Sequence, residues 1–175
     1  MKLLLTVMSA FCLMLPAAIA QDAEPLPPRV VAIDGNVWIA GQPSEAMFAA
    51  WAEAGATTVV NLRTARENGE VSFDGAVAAA EHGLAYSAME TGYEAGYSPE
   101  MVAALTDILD AAQGPVVLHC ASGTRAANLY TAYRIERGDL APEDAAEAHL
   151  APHTDLNPEI MRMLSPRYAA AFPAE

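Results

Sequence analysis

The chain is expected to form a single α/β domain, with a mostly parallel central sheet flanked by helices. Three observations point there. Short β-branched and apolar runs at residues 57–62, 84–89 and 115–119 are separated by stretches with helical apolar spacing. The runs at 57–62 and 115–119 are apolar without clean alternation, as in strands buried on both faces. Strands that alternate with helices through the middle of a chain imply parallel neighbours joined by crossovers.

Each element follows from local chemistry. Residues 30–33 and 37–40 read as strands joined at Asp34-Gly35-Asn36, a hairpin turn, and Gly41-Gln42-Pro43 ends the second. Ser44 is expected to cap a helix running to about residue 54, with Met47, Phe48 and Trp51 on one face. Residues 63–70 read as a charged loop, and 73–82 as an Ala-rich helix stopped by Gly83. A Gly/Tyr/Glu loop at 91–97 follows the strand at 84–89. Ser98-Pro99-Glu100 then opens a helix to about residue 113: a capping hydroxyl, a proline in the first turn, a carboxylate near the positive end. The strand at 115–119 runs into a tight loop at 120–124 and a helix at 125–137, ended by Gly138. Two further helices are expected, at 142–150 and 158–171.

The N-terminus reads as a secretory signal over residues 1–20. Lys2 precedes a nearly unbroken apolar run at 3–15, Pro16 breaks it, and Ala18-Ile19-Ala20 supplies the small-x-small cleavage pattern. The run is shorter than the roughly 20 residues a membrane span needs, so no stable membrane insertion is expected after cleavage. Residues 21–29, acidic with Pro25, Pro27 and Pro28, read as a disordered lead-in to a domain over 30–172. The expected location is the periplasm or the exterior.

The whole chain carries a net charge of −13, and its only lysine, Lys2, leaves with the signal. Eight arginines then face 22 acidic residues. That balance argues against a nucleic-acid partner and against an anionic membrane surface. An anionic substrate would be repelled by the protein as a whole, so a site for one has to be made locally. With Cys12 removed, Cys120 is a lone thiol in an oxidising compartment, either buried and inert or present for its reactivity.

Its neighbours favour reactivity. The segment reads Val117-Leu118-His119-Cys120-Ala121-Ser122-Gly123-Thr124-Arg125-Ala126: a strand, a cysteine, small residues, then an arginine opening a helix. Small side chains and Gly123 let the backbone at Ala121, Ser122, Gly123 and Thr124 curl, so that its N–H groups converge as an anion-binding nest. The helix adds its positive end, and Arg125 a planar fork of donors. Thiols in such surroundings ionise readily and attack bound electrophiles. Cys120 is thus the expected nucleophile and Arg125 the anion clamp. No metal and no cofactor are called for.

The His-Cys…Gly…Arg loop between a strand and a helix resembles the cysteine-dependent phosphatase superfamily. More closely, the chain resembles the bacterial β-lactamase-hydrolase-like phosphatase-like domain, the DUF442 group. Ala40-Gly41-Gln42-Pro43, Val59-Val60-Asn61-Leu62-Arg63 and Asp155-Leu156-Asn157-Pro158-Glu159 match in the same order, over roughly residues 30–164. The resemblance implies a protein-tyrosine-phosphatase-like fold and hydrolysis of a phosphate ester through a covalent intermediate on Cys120.

Two features depart from that superfamily. Its phosphatases place five residues between Cys and Arg and then a Ser or Thr, whereas here four residues intervene and Ala126 follows. The shorter ring is like that of rhodanese sulfurtransferases, in which Cys carries a persulfide. The superfamily's acidic loop before the cysteine holds Glu90 and Glu94 here, with no Asp; either is a candidate general acid, although exposed loop glutamates are more often simply solvated. The expected substrate is a small anion, either a phosphate ester or a sulfane-sulfur donor. Phosphatase-type hydrolysis comes first, sulfur transfer second, and a non-catalytic anion- or partner-binding module third. Ser122 or Thr124 is a stand-in for the missing hydroxyl, and His119 a loop support or structural prop. His149 and His153 have metal-binding spacing, but Pro152 is expected to interrupt their helix. Arg63 ends a buried strand, where it either supports the Cys loop or pairs with Glu67 or Glu70, the pairing being favoured. Asn128, Tyr130 and Tyr133 fall on the helix after the loop, the tyrosines as packing residues.

Overall fold

In the computed structural model, residues 26–92, 95–151 and 155–174 are described. The expected signal segment, Glu94 and His153 lie outside them. Five strands form one sheet in the order β1-β2-β5-β3-β4: β1 Val30–Asp34, β2 Val37–Ala40, β3 Thr58–Asn61, β4 Ala85–Ala88 and β5 Val116–His119. Only β1 and β2 pair antiparallel; β2, β5, β3 and β4 run parallel. The expected mostly parallel α/β domain is therefore what forms.

Side-chain alternation divides the core into two layers. Ile39, Val60 and Leu118 face one way, against α4 (Pro99–Ala111), α5 (Thr124–Arg137) and α6 (Pro158–Leu164). Trp38, Val59 and Val117 face the other, against α1 (Ala46–Glu53) and α3 (Gly75–Glu81). All four parallel strands end on one edge, and β5 lies in the middle of the sheet. The loop that follows β5 is consequently flanked on both sides by strand ends, the usual ligand side of such sheets.

Several local expectations change. Residues 26–29, expected within the disordered lead-in, are held. The buried Trp51 indole needs an acceptor and finds Pro28 O at 2.8 Å, while Gly41 donates to Arg29 O at 3.1 Å. Ser44 does not cap α1: the cap position is Glu45, with no side-chain bond. Residues 63–70 are not all loop, because Thr64 and Glu67 form a capping box around the short helix α2 (Ala65–Asn68). Ser98 occupies the cap position of α4 without a side-chain cap bond; its hydroxyl instead binds Glu100, holding that carboxyl below the usual range. The helix expected at 142–150 is only a 3-10 turn, Pro142–Asp144, followed by irregular turns. Among its residues Ala145 alone is buried, too small an apolar face to hold a longer helix. The helix expected at 158–171 is two, α6 and α7 (Pro166–Ala171). Pro166 pushes Ser165 out of the helical region, and Ser165 then caps Tyr168 N at 3.0 Å.

Candidate active site

The site is built where β5 leaves the sheet. Cys120 follows the strand directly, is 1% exposed, and its Sγ accepts the Gly123 N–H at 3.1 Å. The chain can turn there because Gly123 adopts φ +99°, with the next residue opening α5. A Cβ at that position would also stand 3.2 Å from Val31 Cγ2. Gly123→Ala is therefore expected to cost about 1–2 kcal/mol from the left-handed backbone alone; a melting temperature equal to wild type would contradict this. Ala121 O accepts from Gln42 N at 2.9 Å, tying the loop to the end of β2. Ser122 Oγ and Thr124 Oγ1 share a hydrogen bond of 3.1 Å at the exposed rim.

Arg125 is turned inward. Nη2 and Nη1 reach the two carboxylate oxygens of Glu67 at 2.6 and 2.8 Å, a bidentate pair. Nη1 also donates to Thr91 O at 2.7 Å and Leu62 O at 3.3 Å. Burial alone would lower the guanidinium's pKa. The Glu67 hydrogen bond and the charges of Cys120 and Glu67 outweigh that, and it is raised. The same bond, helped by Thr64 against the effect of burial, holds the Glu67 carboxyl down at about 2. Glu67 is therefore an orienting anion with both oxygens occupied, unavailable for proton transfer at neutral pH. The sequence signalled it only weakly, as the fourth residue of a Thr-x-x-Glu capping box.

The expected pairing of Arg63 with Glu67 or Glu70 does not occur. Arg125 takes Glu67, and among the described residues no carboxylate bridges Arg63. His119 is 2% exposed, and among the described residues neither ring nitrogen has a hydrogen-bond partner. Burial, joined by the charges of Arg63 and Arg125 and partly opposed by the Cys120 main chain, lowers its pKa to about 4. It is a neutral imidazole at pH 7. A histidine with a depressed folded pKa binds fewer protons folded than unfolded between about 4 and its ordinary 6.5, so stability falls as pH drops through that window. His119→Gln is expected to flatten that decline in melting temperature; an unchanged pH profile would refute it.

Two cavities open near the strand ends. One, of about 580 Å³, is lined by Arg125, Thr124, Asn128, Asp155, Asn157 and Glu67, among others. The other, of about 640 Å³, opens between α1, α3 and the strand ends; the exposed Glu90 and the buried His119 are both in its lining. Glu90 therefore lines a different cavity from Arg125. Asn128 is fully buried and accepts from Asn157 N at 3.4 Å. Tyr130 and Tyr133 stack on each other at 5.8 Å, with the Tyr130 hydroxyl on Asp34, and line neither cavity. His149 lies 3.4 Å from Thr131 Oγ1, and no metal-holding cluster occurs among the described residues.

The family described as beta-lactamase hydrolase-like protein, phosphatase-like domain matches residues 29–135, more than half of the chain. The chain belongs to that family. This phosphatase-like domain shares its fold with solved phosphatases at low identity. Tk-PTP in its active form superposes with a TM-score of 0.64 at 18% identity, over 82% of this chain and 98% of that one. PTPMT1 does so with a TM-score of 0.62 at 19% identity, covering 78% of this chain and 92% of its own. TpbA of P. aeruginosa in complex with pTyr gives a TM-score of 0.52 at 19% identity, over 70% of this chain and 78% of that one. No curated protein matches the phosphatase-like domain in sequence.

Proposed function

We propose that the protein is a cysteine-dependent phosphatase-like hydrolase acting after export, in the periplasm or outside the cell. The observation that carries this reading is the Arg125–Glu67 pair at the Cys120 loop in a chain of the phosphatase-like family. The chemistry runs in two displacements. The Cys120 sulfur attacks phosphorus, the bond to the leaving oxygen breaks, and that oxygen takes a proton. Water then attacks the phosphocysteine, releasing inorganic phosphate and the sulfur anion. Arg125 and the N–H groups of residues 121–124 bind the oxyanion in both steps.

The proton donor is one of three carboxylates. Glu90 and Glu94 are the candidates from the acidic loop, and Asp155 joins them because it shares the cavity of Arg125. Asp155→Asn is expected to lower kcat on a phosphate monoester with a poor leaving group by about 10²-fold, and much less on an activated aryl phosphate. Glu90→Gln is the matched control; a larger loss there would move the role to Glu90.

The four-residue ring favours a second reading, sulfur transfer with a persulfide on Cys120. A terminal sulfur needs less room than a phosphoryl group, and sulfite leaves thiosulfate with little protonation. A paired assay separates the two: an aryl phosphate or phosphotyrosine on one side, thiosulfate with cyanide on the other. Turnover of the phosphate alone supports the hydrolase, and turnover of thiosulfate alone replaces it with the sulfurtransferase. Inactivity on both leaves a binding module.

A further inference from the structure

The short helix α2 divides the two cavities, and helical position sorts its residues between them. Ala65 and Asn68, three apart and so on one face, line the larger cavity. Thr64, Arg66 and Glu67 line the cavity that holds Arg125. Local chemistry fixes that orientation. The Thr64–Glu67 capping box closes the turn, and the Glu67 carboxylate ties it to the start of α5 through Arg125 at 2.6 Å. On the other side Asn68 accepts from Asn61 at 2.9 Å and donates to Arg63 O at 3.3 Å. The two arginines of the cavity are then in different states. Arg125 has both terminal nitrogens committed, Nη2 to Glu67 and Nη1 to Glu67, Thr91 O and Leu62 O. Arg66 is exposed, and among the described residues no carboxylate bridges it. Its neighbour Glu67 is already neutralised by Arg125. Asp155, in the same lining, is exposed, so solvent screens its charge. In a chain with 22 acidic and nine basic residues, an exposed arginine without an ion-pair partner on a cavity wall is a local exception.

We propose that the Arg125 cavity takes a small phosphate monoester whose organic part carries a second anionic group, and that Arg66 is the specificity residue that recognises this group. The phosphate end rests on the hydrolase reading of the same site: Arg125 and the loop N–H groups hold it. Arg66 offers the far end a planar fork of donors that is open to solvent and to ligand. Tyr97 and Ile160 supply wall for the organic body between the two anions. The volume of about 580 Å³ is that of a small-molecule site. The field of an acidic protein repels a doubly anionic ester, so acceptance of one needs a cation at each end of the site. Arg125 and Arg66 are the two cations of this lining.

Three aryl phosphates of similar shape test the assignment: 4-(carboxymethyl)phenyl, 4-ethylphenyl and 4-(2-aminoethyl)phenyl phosphate. Their dissociation constants are measured by calorimetry on full-length Cys120→Ser, which holds the esters without turnover. At low salt the carboxymethyl ester is expected to bind about 5-fold tighter than the ethyl ester. That ratio is expected to shrink as salt screens an exposed arginine. Adding Arg66→Gln is expected to bring the ratio to one or below, and Arg66→Glu to make the aminoethyl ester the tightest of the three. Arg137→Gln removes the same charge at the other end of α5, from the pair with Asp110, and is expected to keep the parent ratio. A ratio that Arg66→Gln does not change, or that Arg137→Gln changes as much, overturns the proposal. A parent ratio of one at low salt, or no binding of any ester, overturns it without a variant. Turnover by the unmodified chain tests the hydrolase reading separately. Hydrolysis of the esters with no Arg66-dependent ratio keeps the hydrolase and loses the second-anion site. An Arg66-dependent ratio in a chain that hydrolyses none of them keeps the site and loses the hydrolase.

Discussion

Cys120→Ser is expected to abolish turnover of an aryl phosphate, by on the order of 10⁴-fold or more, without loss of fold. The serine oxygen can accept the Gly123 N–H that the sulfur accepts at 3.1 Å, so the loop retains its closing contact. Arg125 and the loop N–H groups are untouched, and anion binding measured by calorimetry should survive. Loss of turnover with binding intact assigns the sulfur to the chemistry; loss of both assigns it to the fold. Iodoacetamide provides an independent check on the wild-type protein. Labelling of Cys120 at neutral pH that oxyanions suppress is the expected result. Labelling only above about pH 8.5, where an ordinary thiol ionises, would remove both enzyme readings.

Glu67→Gln is expected to have the second largest effect, and to separate activity from stability by pH. Its carboxylate fixes the guanidinium bidentately at 2.6 and 2.8 Å, and its second oxygen also accepts from Thr64 N at 2.9 Å. A glutamine can keep at most one acceptor toward Arg125. The arginine then loses its orientation, and kcat/KM is expected to fall by about 10–10²-fold. Stability should drop by about 1.5–3 kcal/mol, the range for a hydrogen bond to a charged group, since both partners are largely buried, at 16% and 21% exposed. The folded pKa of Glu67 is depressed to about 2 from an ordinary 4.5, so its contribution is complete above about pH 4.5 and is lost as pH falls through 2. The melting-temperature gap between wild type and variant should be constant near neutrality and close in acid. A gap that persists unchanged at pH 2 would contradict the ion-pair account.

The strands, the buried helix faces and the Cys loop were all legible in the sequence, because each rests on local chemistry. Val59-Val60 and Val116-Val117-Leu118 are apolar on both faces, which only a central strand requires. Gly123 and Gly138 stand where the chain turns left-handed at the two ends of α5. The misreadings came where two local signals competed. Ser44 is a good capping residue by type yet does not cap α1, Ser98 takes the cap position of α4 without a side-chain bond, and Thr64-x-x-Glu67 forms its capping box inside a charged stretch. Pro166 broke a helix that apolar spacing alone continued.

What residue order settled was the chemistry present: one thiol at the end of a strand, an arginine five positions beyond it, and four small residues between them. Which carboxylate answers which arginine was a matter of three-dimensional packing. Glu67 lies 58 positions from Arg125 and only four from Arg63, yet it binds the distant one. Only when β3 pairs with β5 does α2 come over the start of α5, and only then are Arg63 Nε and Nη1 left buried with no hydrogen-bond partner among the described residues. Pairings between strand ends depend on sheet order, which no local spacing encodes.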